Sequence, residues 1–291
     1  MTLNSNMNIL IIGLGVMGGS YARALTKKGF HIRCITKDTA DIEYALGEGM
    51  IAEGTVEVRA DWLAEAELIV FALYPKTFIS WIKENGHLLK RGVTITDVSG
   101  VKSGVIASIQ GLLPEGVEFI SAHPMAGRER SGVAFSDDSV FTGANYIVVP
   151  TEKNTEKAIL LCEALGRTLG FLRISRLDAE AHDRMIAFLS QLTHCIAVSL
   201  MNCNDAPDME KYTGDSFRDL TRIAKINENM WSELFLLNKD ALLAEMDAFA
   251  KEFADFRALL AAEDAEGMKE KMRASTVKRM KFDKPKGNTA L

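Results

Sequence analysis

The sequence predicts an α/β domain on a largely parallel sheet, followed by an all-helical domain. Three observations predict it. Glycine and proline crowd into the first part of the chain, short apolar runs alternate there with helical patterns, and a glycine-rich turn follows the first run. Nineteen of the 22 glycines lie in residues 1–176, and only Pro207 and Pro285 lie beyond Pro150. Both residue types break regular structure, so turns belong to the first part and long helices to the second. Two domains are expected, 1–176 and 177–291, because a chain of 291 residues exceeds the usual reach of one core.

"NILIIG" (8–13), "HIRCIT" (31–36), "LIVFAL" (68–73), "VTITD" (93–97), "VEFIS" (117–121), "NYIVVP" (145–150) and "FLRIS" (171–175) read as buried strands. Helical patterns such as "GSYARALTKKG" (19–29) and "EKAILLCEALGRTLG" (156–170) stand between them. That alternation implies a parallel sheet covered on both faces. Beyond it lie an amphipathic stretch at 178–203, another at 215–226, and a long one at 229–262 with apolar residues three and four apart. Residues 269–286 hold eight Lys/Arg against Glu270 and Asp283, which reads as a solvated helix end followed by a frayed tail from about 283.

Composition narrows the function. Net charge −5 and pI near 5.7 give no general attraction for nucleic acid or an anionic membrane. The four cysteines, Cys34, Cys162, Cys195 and Cys203, show no metal-ligand rhythm, so reduced thiols in a cytoplasm are expected and no metal. "ILIIGLGVMGG" lacks a basic leader and breaks at glycines, and no uninterrupted apolar run is long enough for a membrane span.

The chemistry starts at "ILIIGLGVMGGS", a strand that ends in Gly13-Leu14-Gly15-Val16-Met17-Gly18 and opens a helix. Gly13 permits a tight turn, Gly15 lets the backbone approach a pyrophosphate, and Gly18 lets helix and strand pack closely. Free N–H groups at the helix start then bind phosphate. The end of the second strand reads Ile35-Thr36-Lys37-Asp38. An acid there would bond the ribose 2′-hydroxyl of NAD. Thr36 and Lys37 instead could hold a 2′-phosphate, a lean to NADP, while Asp38 could still swing in and serve NAD.

Ligands of an open parallel sheet sit beyond the carboxyl ends of its strands. Tyr74-Pro75-Lys76, the segment Asp97 to Lys102, and Ser121 to Met125 all leave such ends. His123 is therefore placed to take a proton from a hydroxyl whose carbon gives up hydride, and its ordinary pKa of about 6.5 suits a base at neutral pH. A histidine that merely caps its loop is the alternative.

"GLGVMGGS", "DVSGVKS", "HPMAGRERSG", "HDRMIAFLSQLTHCIAVSL" and "FRDLTRIAKINENMWSELF", in this order from about residue 7 to 282, resemble the prephenate/arogenate dehydrogenase family of tyrosine biosynthesis. The resemblance implies a Rossmann-type domain followed by a helical domain through which two subunits dimerise. It implies oxidative decarboxylation, in which hydride leaves ring C4 for NAD(P), the C4 hydroxyl loses its proton, the ring carboxylate departs as CO₂ and the ring becomes aromatic. His123 takes the role of base. Arg222 resembles the arginine that grips a substrate carboxylate, a task suited to a planar bidentate donor, although an i, i+3 surface pair with Asp219 is the plainer reading. His194 matches a histidine near the substrate or is a core residue. Glu129 and Asp219 look like acids that tune or gate the pocket, and Trp231 walls it or belongs to the core. His182 and Asp183 read as a helix cap or hinge as readily as catalytic groups.

Two departures stand out. The family commonly has serine directly before Val-Lys, orienting the histidine; here Gly100 holds that place and Ser99 precedes it, so either Ser99 substitutes through a shifted loop as a catalytic residue, or that hydrogen bond is missing and activity is lower. Gln191 stands where many members have a histidine, which leaves the substrate's side chain open. The rival readings are another two-domain dehydrogenase, of β-hydroxyacid or imine reductase type, and a dinucleotide-sensing dimer without catalysis. The first rival commonly carries a lysine on the long helix after the boundary, and residues 178–203 contain none.

Overall fold

The computed structural model describes residues 3–127 and 130–283. The chain runs β1 (Ile9–Ile12), α1 (Val16–Thr26), β2 (Ile32–Ile35), α2 (Thr39–Gly47), β3 (Glu53–Thr55), α3 (Ala60–Glu65), β4 (Leu68–Phe71), α4 (Pro75–Asn85), β5 (Thr94–Asp97), α5 (Ser103–Leu112) and β6 (Glu118–Phe119). It continues through β7 (Ser121–Pro124), β8 (Asn145–Val149), α6 (Glu156–Leu169) and β9 (Arg173–Arg176). A six-stranded sheet has the order β3-β2-β1-β4-β5-β6, parallel throughout. β1 and β4 are buried at every position, as strands covered on both faces must be. The order reverses between β1 and β4, and that junction is the topological switch point where such sheets bind ligands.

The expected strand "VEFIS" divides. Glu118–Phe119 pairs with β5, and Ile120 N–H still reaches the Ile95 carbonyl at 3.0 Å. The Asp97 carboxylate then captures the Ser121 hydroxyl at 2.6 Å and the Ala122 N–H at 3.1 Å. Those bonds turn the chain into a separate three-stranded sheet, β7-β8-β9, with β7 antiparallel to β8 and β8 parallel to β9.

The helical region begins with α7 (Ala179–Ile186), a π-helical turn (Ala187–Leu192) and α8 (Thr193–Asn202), one continuous run. By length and composition this run could cross a membrane; its His182, Asp183 and Gln191 are nonetheless buried and bonded within the protein. Next come α9 (Asp215–Thr221), a 3₁₀ turn (Arg222–Ala224), α10 (Glu228–Leu237), α11 (Lys239–Ala261) and α12 (Ala265–Arg279). The expected helix 229–262 is interrupted at Asn238, a buried side chain whose amide donates to Asp183 O at 2.9 Å and Gln191 Oε1 at 2.8 Å.

By packing, the chain divides after Ala241. The helices α7 and α10 belong with the sheets because Asp183 and Glu233 tie them there: Asp183 accepts from Lys102 and Ser103 N–H at 2.8 Å, and Glu233 from Lys76 N–H at 2.6 Å. The second unit, Leu242–Leu291, holds α12 and most of α11. Within it Asp264 caps α12 through Gly267 N–H at 2.9 Å, and Phe253 and Met272 stay exposed.

Candidate active site

The glycine turn has the shape its sequence predicts. Gly13 has φ +97°, and a Cβ there would lie 2.5 Å from the Ala72 carbonyl oxygen. A Cβ on Gly18 would lie 2.0 Å from the Gly13 oxygen. Packing alone therefore demands two of the glycines. Around Gly15 no atom lies within 4 Å of a built Cβ, so the third leaves space of the kind a pyrophosphate fills. Leu14 is buried beneath the turn, Val16 and Met17 open α1, and no side chain caps that helix start. These residues fit a dinucleotide. At the ribose end, Thr36 N–H bonds the Thr55 carbonyl at 3.1 Å and Lys37 is exposed. Asp38 caps α2, accepting from Ala40 N–H at 2.9 Å. Beyond β4, Tyr74 is exposed, and Pro75 is buried at the first position of α4.

The other side of the site hangs on Asp97 at the end of β5. Besides Ser121 and Ala122, its carboxylate takes the Ser99 N–H at 3.1 Å and the Lys102 ammonium at 3.0 Å, all buried. Lys102 Nζ also donates to the Ala122 carbonyl at 2.6 Å, directly before His123. Burial holds the Lys102 pKa below its usual value against the pull of Asp97. This buried ion pair fixes where β7 leaves the sheet, and so where His123 sits.

His123 Nδ1 lies 2.9 Å from His182 Nε2, and His182 Nδ1 lies 2.8 Å from Asp183 Oδ1. The carboxylate end assigns the protons. Asp183 accepts, so His182 carries its proton on Nδ1 and accepts at Nε2, and His123 donates from Nδ1. His123 Nε2 is left with a lone pair. Burial lowers both histidine pKa values; for His123 the neighbouring His182 and Lys102 add to it, and for His182 the bond to Asp183 opposes it. Asp183 is pushed up by burial, but bonds from His182, Ser103 and the Lys102 N–H hold it below the usual carboxylate value. Both imidazoles are therefore neutral at pH 7. Among the described residues Nε2 of His123 has no hydrogen-bond partner, and it faces Gly100, where a built Cβ would lie 3.8 Å away.

The same region holds two residues singled out in the sequence, Ser99 and Gln191. The Ser99 hydroxyl is buried and donates to Asp97. Gln191 is buried as well: its Nε2 donates to Leu234 O at 3.0 Å and its Oε1 accepts from Asn238. His194 and Trp231 do meet, with ring centroids 3.8 Å apart and planes inclined by 31°, and His194 Nδ1 bonds the Ser190 carbonyl at 2.8 Å. Arg222 and Asp219 are exposed on the 3₁₀ turn and on α9. Glu129 lies outside the described residues. The groups that sequence reading missed, Asp97, Lys102 and Asn238, are polar residues whose roles depend on distant partners. His182 and Asp183 were visible as a pair, without a sign that they back His123.

A switch-point glycine turn and an unprotonated imidazole nitrogen define a dinucleotide-dependent oxidoreductase. Residues 21–169 match the model of the prephenate dehydrogenase nucleotide-binding domain, and 178–274 that of the prephenate dehydrogenase dimerisation domain. A prephenate dehydrogenase of Bacillus subtilis is 32% identical over 272 residues, covering 89% of this chain and 72% of that protein. A cyclohexadienyl dehydrogenase of Zymomonas mobilis is 27% identical, covering 94% and 95%. The crystal structure of the Aquifex aeolicus prephenate dehydrogenase with hydroxyphenyl propionate and NAD+ superposes with a TM-score of 0.89 at 30% identity, covering 97% of this chain and all of that one. The chain belongs to the prephenate dehydrogenase family.

Proposed function

We propose that this protein oxidatively decarboxylates prephenate to 4-hydroxyphenylpyruvate, or arogenate to tyrosine, with NAD(P)+ in tyrosine biosynthesis. The observation that carries the reading is the chain of contacts from Asp183 through His182 to His123 Nδ1, from which a lone pair on His123 Nε2 follows. The nicotinamide supplies the hydride acceptor. His123 Nε2 receives the proton of the C4 hydroxyl as the carbonyl forms. Loss of CO₂ sends the C1 electron pair into the ring, and His123 returns the proton to the phenolate oxygen. No net proton is consumed. A positioned base of this kind contributes about 10²–10⁴ in rate.

Arg222 grips a substrate carboxylate, Asp219 and Glu129 tune the pocket, and the His194–Trp231 stack forms a wall for the ring. Two copies associate through the helical domain, a reading supported by the description of the matched family domain. Four free cysteines suit a cytoplasmic location. The preference for NADP+ rests on Thr36, Lys37 and the engagement of Asp38 in capping α2. The relatives lend it no support, the Aquifex structure being a complex with NAD+.

The test is a spectrophotometric assay of reduced nicotinamide with prephenate and with arogenate, each against NAD+ and NADP+. Turnover of prephenate with a higher kcat/KM for NADP+ is expected. A higher value for NAD+ removes the cofactor preference alone, and no turnover of either substrate contradicts the function.

A further inference from the structure

We propose that Glu233 is a positioning residue that holds the cofactor loop and the substrate helix in register; this rests on the function proposed above. Its carboxylate, half-buried on α10, accepts the Lys76 N–H at 2.6 Å across 157 positions of sequence. Lys76 is the second residue of α4, whose own N-cap, Tyr74, supplies no side-chain bond. Glu233 thus caps α4 from another element, where a carboxylate also meets the positive end of the helix dipole. Asn227, just before α10, makes a second contact at 3.5 Å from its Nδ2 to the Tyr74 hydroxyl.

The gripped loop continues into the glycine turn. Ala72 N–H bonds the Ile12 carbonyl at 2.8 Å, and Ala72 and Leu73 are the atoms that leave no room for a side chain on Gly13. The other contacts of α10 lead to the substrate side. Two residues before Glu233, Trp231 stacks on His194. One residue after it, Leu234 holds Gln191 through its carbonyl and places Cδ1 3.7 Å from a Cβ built on Gly100, beside His123. One short helix therefore holds the loop that abuts the dinucleotide turn, and it touches the aromatic wall and the slot before the base. Hydride transfer needs donor and acceptor carbons aligned within a fraction of an ångström, and Glu233 pins the helix across that gap.

Two measurements on the full-length protein test this, amide hydrogen exchange of the segment 74–80 and steady-state kinetics, on Glu233→Ala and Glu233→Gln. The Gln variant keeps an oxygen that accepts from Lys76. In the Ala variant, exchange at Lys76 should quicken and kcat should fall about tenfold or more, with little change in KM for the dinucleotide or in thermal midpoint. The Gln variant should recover most of kcat. Unchanged exchange, an unchanged kcat, a rise in KM alone, or a Gln variant as slow as Ala overturns the proposal. A wild type inactive on both substrates removes the functional reading instead, and exchange alone then decides whether Glu233 holds the loop.

Discussion

The Asp183 carboxylate accepts from His182 at 2.8 Å, and His182 accepts from His123 at 2.9 Å, so the order of donors along three side chains delivers a lone pair to His123 Nε2. Replacing Asp183 with Asn removes the charge that fixes the His182 tautomer and leaves a group that can donate as well as accept. Turnover should then fall by about 10² or more while dinucleotide affinity holds, as read from kcat and a fluorescence titration. The same residues set a pH dependence of stability. Both folded histidines have pKa values below the ordinary 6.5, so beneath that value the unfolded chain binds more protons than the folded one. Their contribution is complete above pH 6.5 and is lost as pH falls towards the depressed folded values. Urea midpoints should decline below pH 6.5, and the decline should be smaller in a His182→Phe variant.

The path of β7 is decided by Asp97 and Lys102, which join the end of β5 to the residues before His123. Lys102→Met would leave the Asp97 carboxylate buried without its cation, a change that costs about 3–5 kcal/mol in comparable pairs. Chemical denaturation should report a loss of that order, and a loss under about 1 kcal/mol would mean that the pair does not hold β7. Elements were legible in the sequence where their cause is local. The run "ILIIG" and its glycine turn are such a case, since strand burial, positive φ and close packing depend on neighbouring residues. The division of "VEFIS" and the break at Asn238 were not legible. Each arises from a hydrogen bond to a residue distant in sequence, Asp97 in one case and Gln191 in the other. The partners of Gln191, Leu234 and Asn238, show the same limit: residue type shows what a side chain can bond, and the fold decides which partner takes it.

On the scale of the whole molecule, the helical region leaves large apolar side chains in water. Phe188 on the π-helical turn is 53% exposed and Met185 on α7 46%, and in the second unit Phe253 on α11 is 66% exposed. Burying such side chains against a second copy would remove apolar area at about 25 cal/mol per Å². Light scattering after gel filtration should give twice the chain mass of 32.0 kDa. A monomer at micromolar concentration would contradict the dimer. The division of labour between turn-rich and helix-rich parts was visible in glycine and proline counts, whereas the ties of α7 and α10 to the sheet domain were not, because they run through Asp183 and Glu233.

The pH profile of kcat/KM, taken on the wild type and on His123→Asn, tests the central assignment most directly. A neutral base with a depressed pKa predicts a wild-type plateau through neutrality and an acid limb whose inflection lies below 6.5. The variant should turn over at least about a hundredfold more slowly and lack that limb. A His123→Asn enzyme with near-normal turnover, or with the same acid limb as the wild type, would show that another group takes the proton.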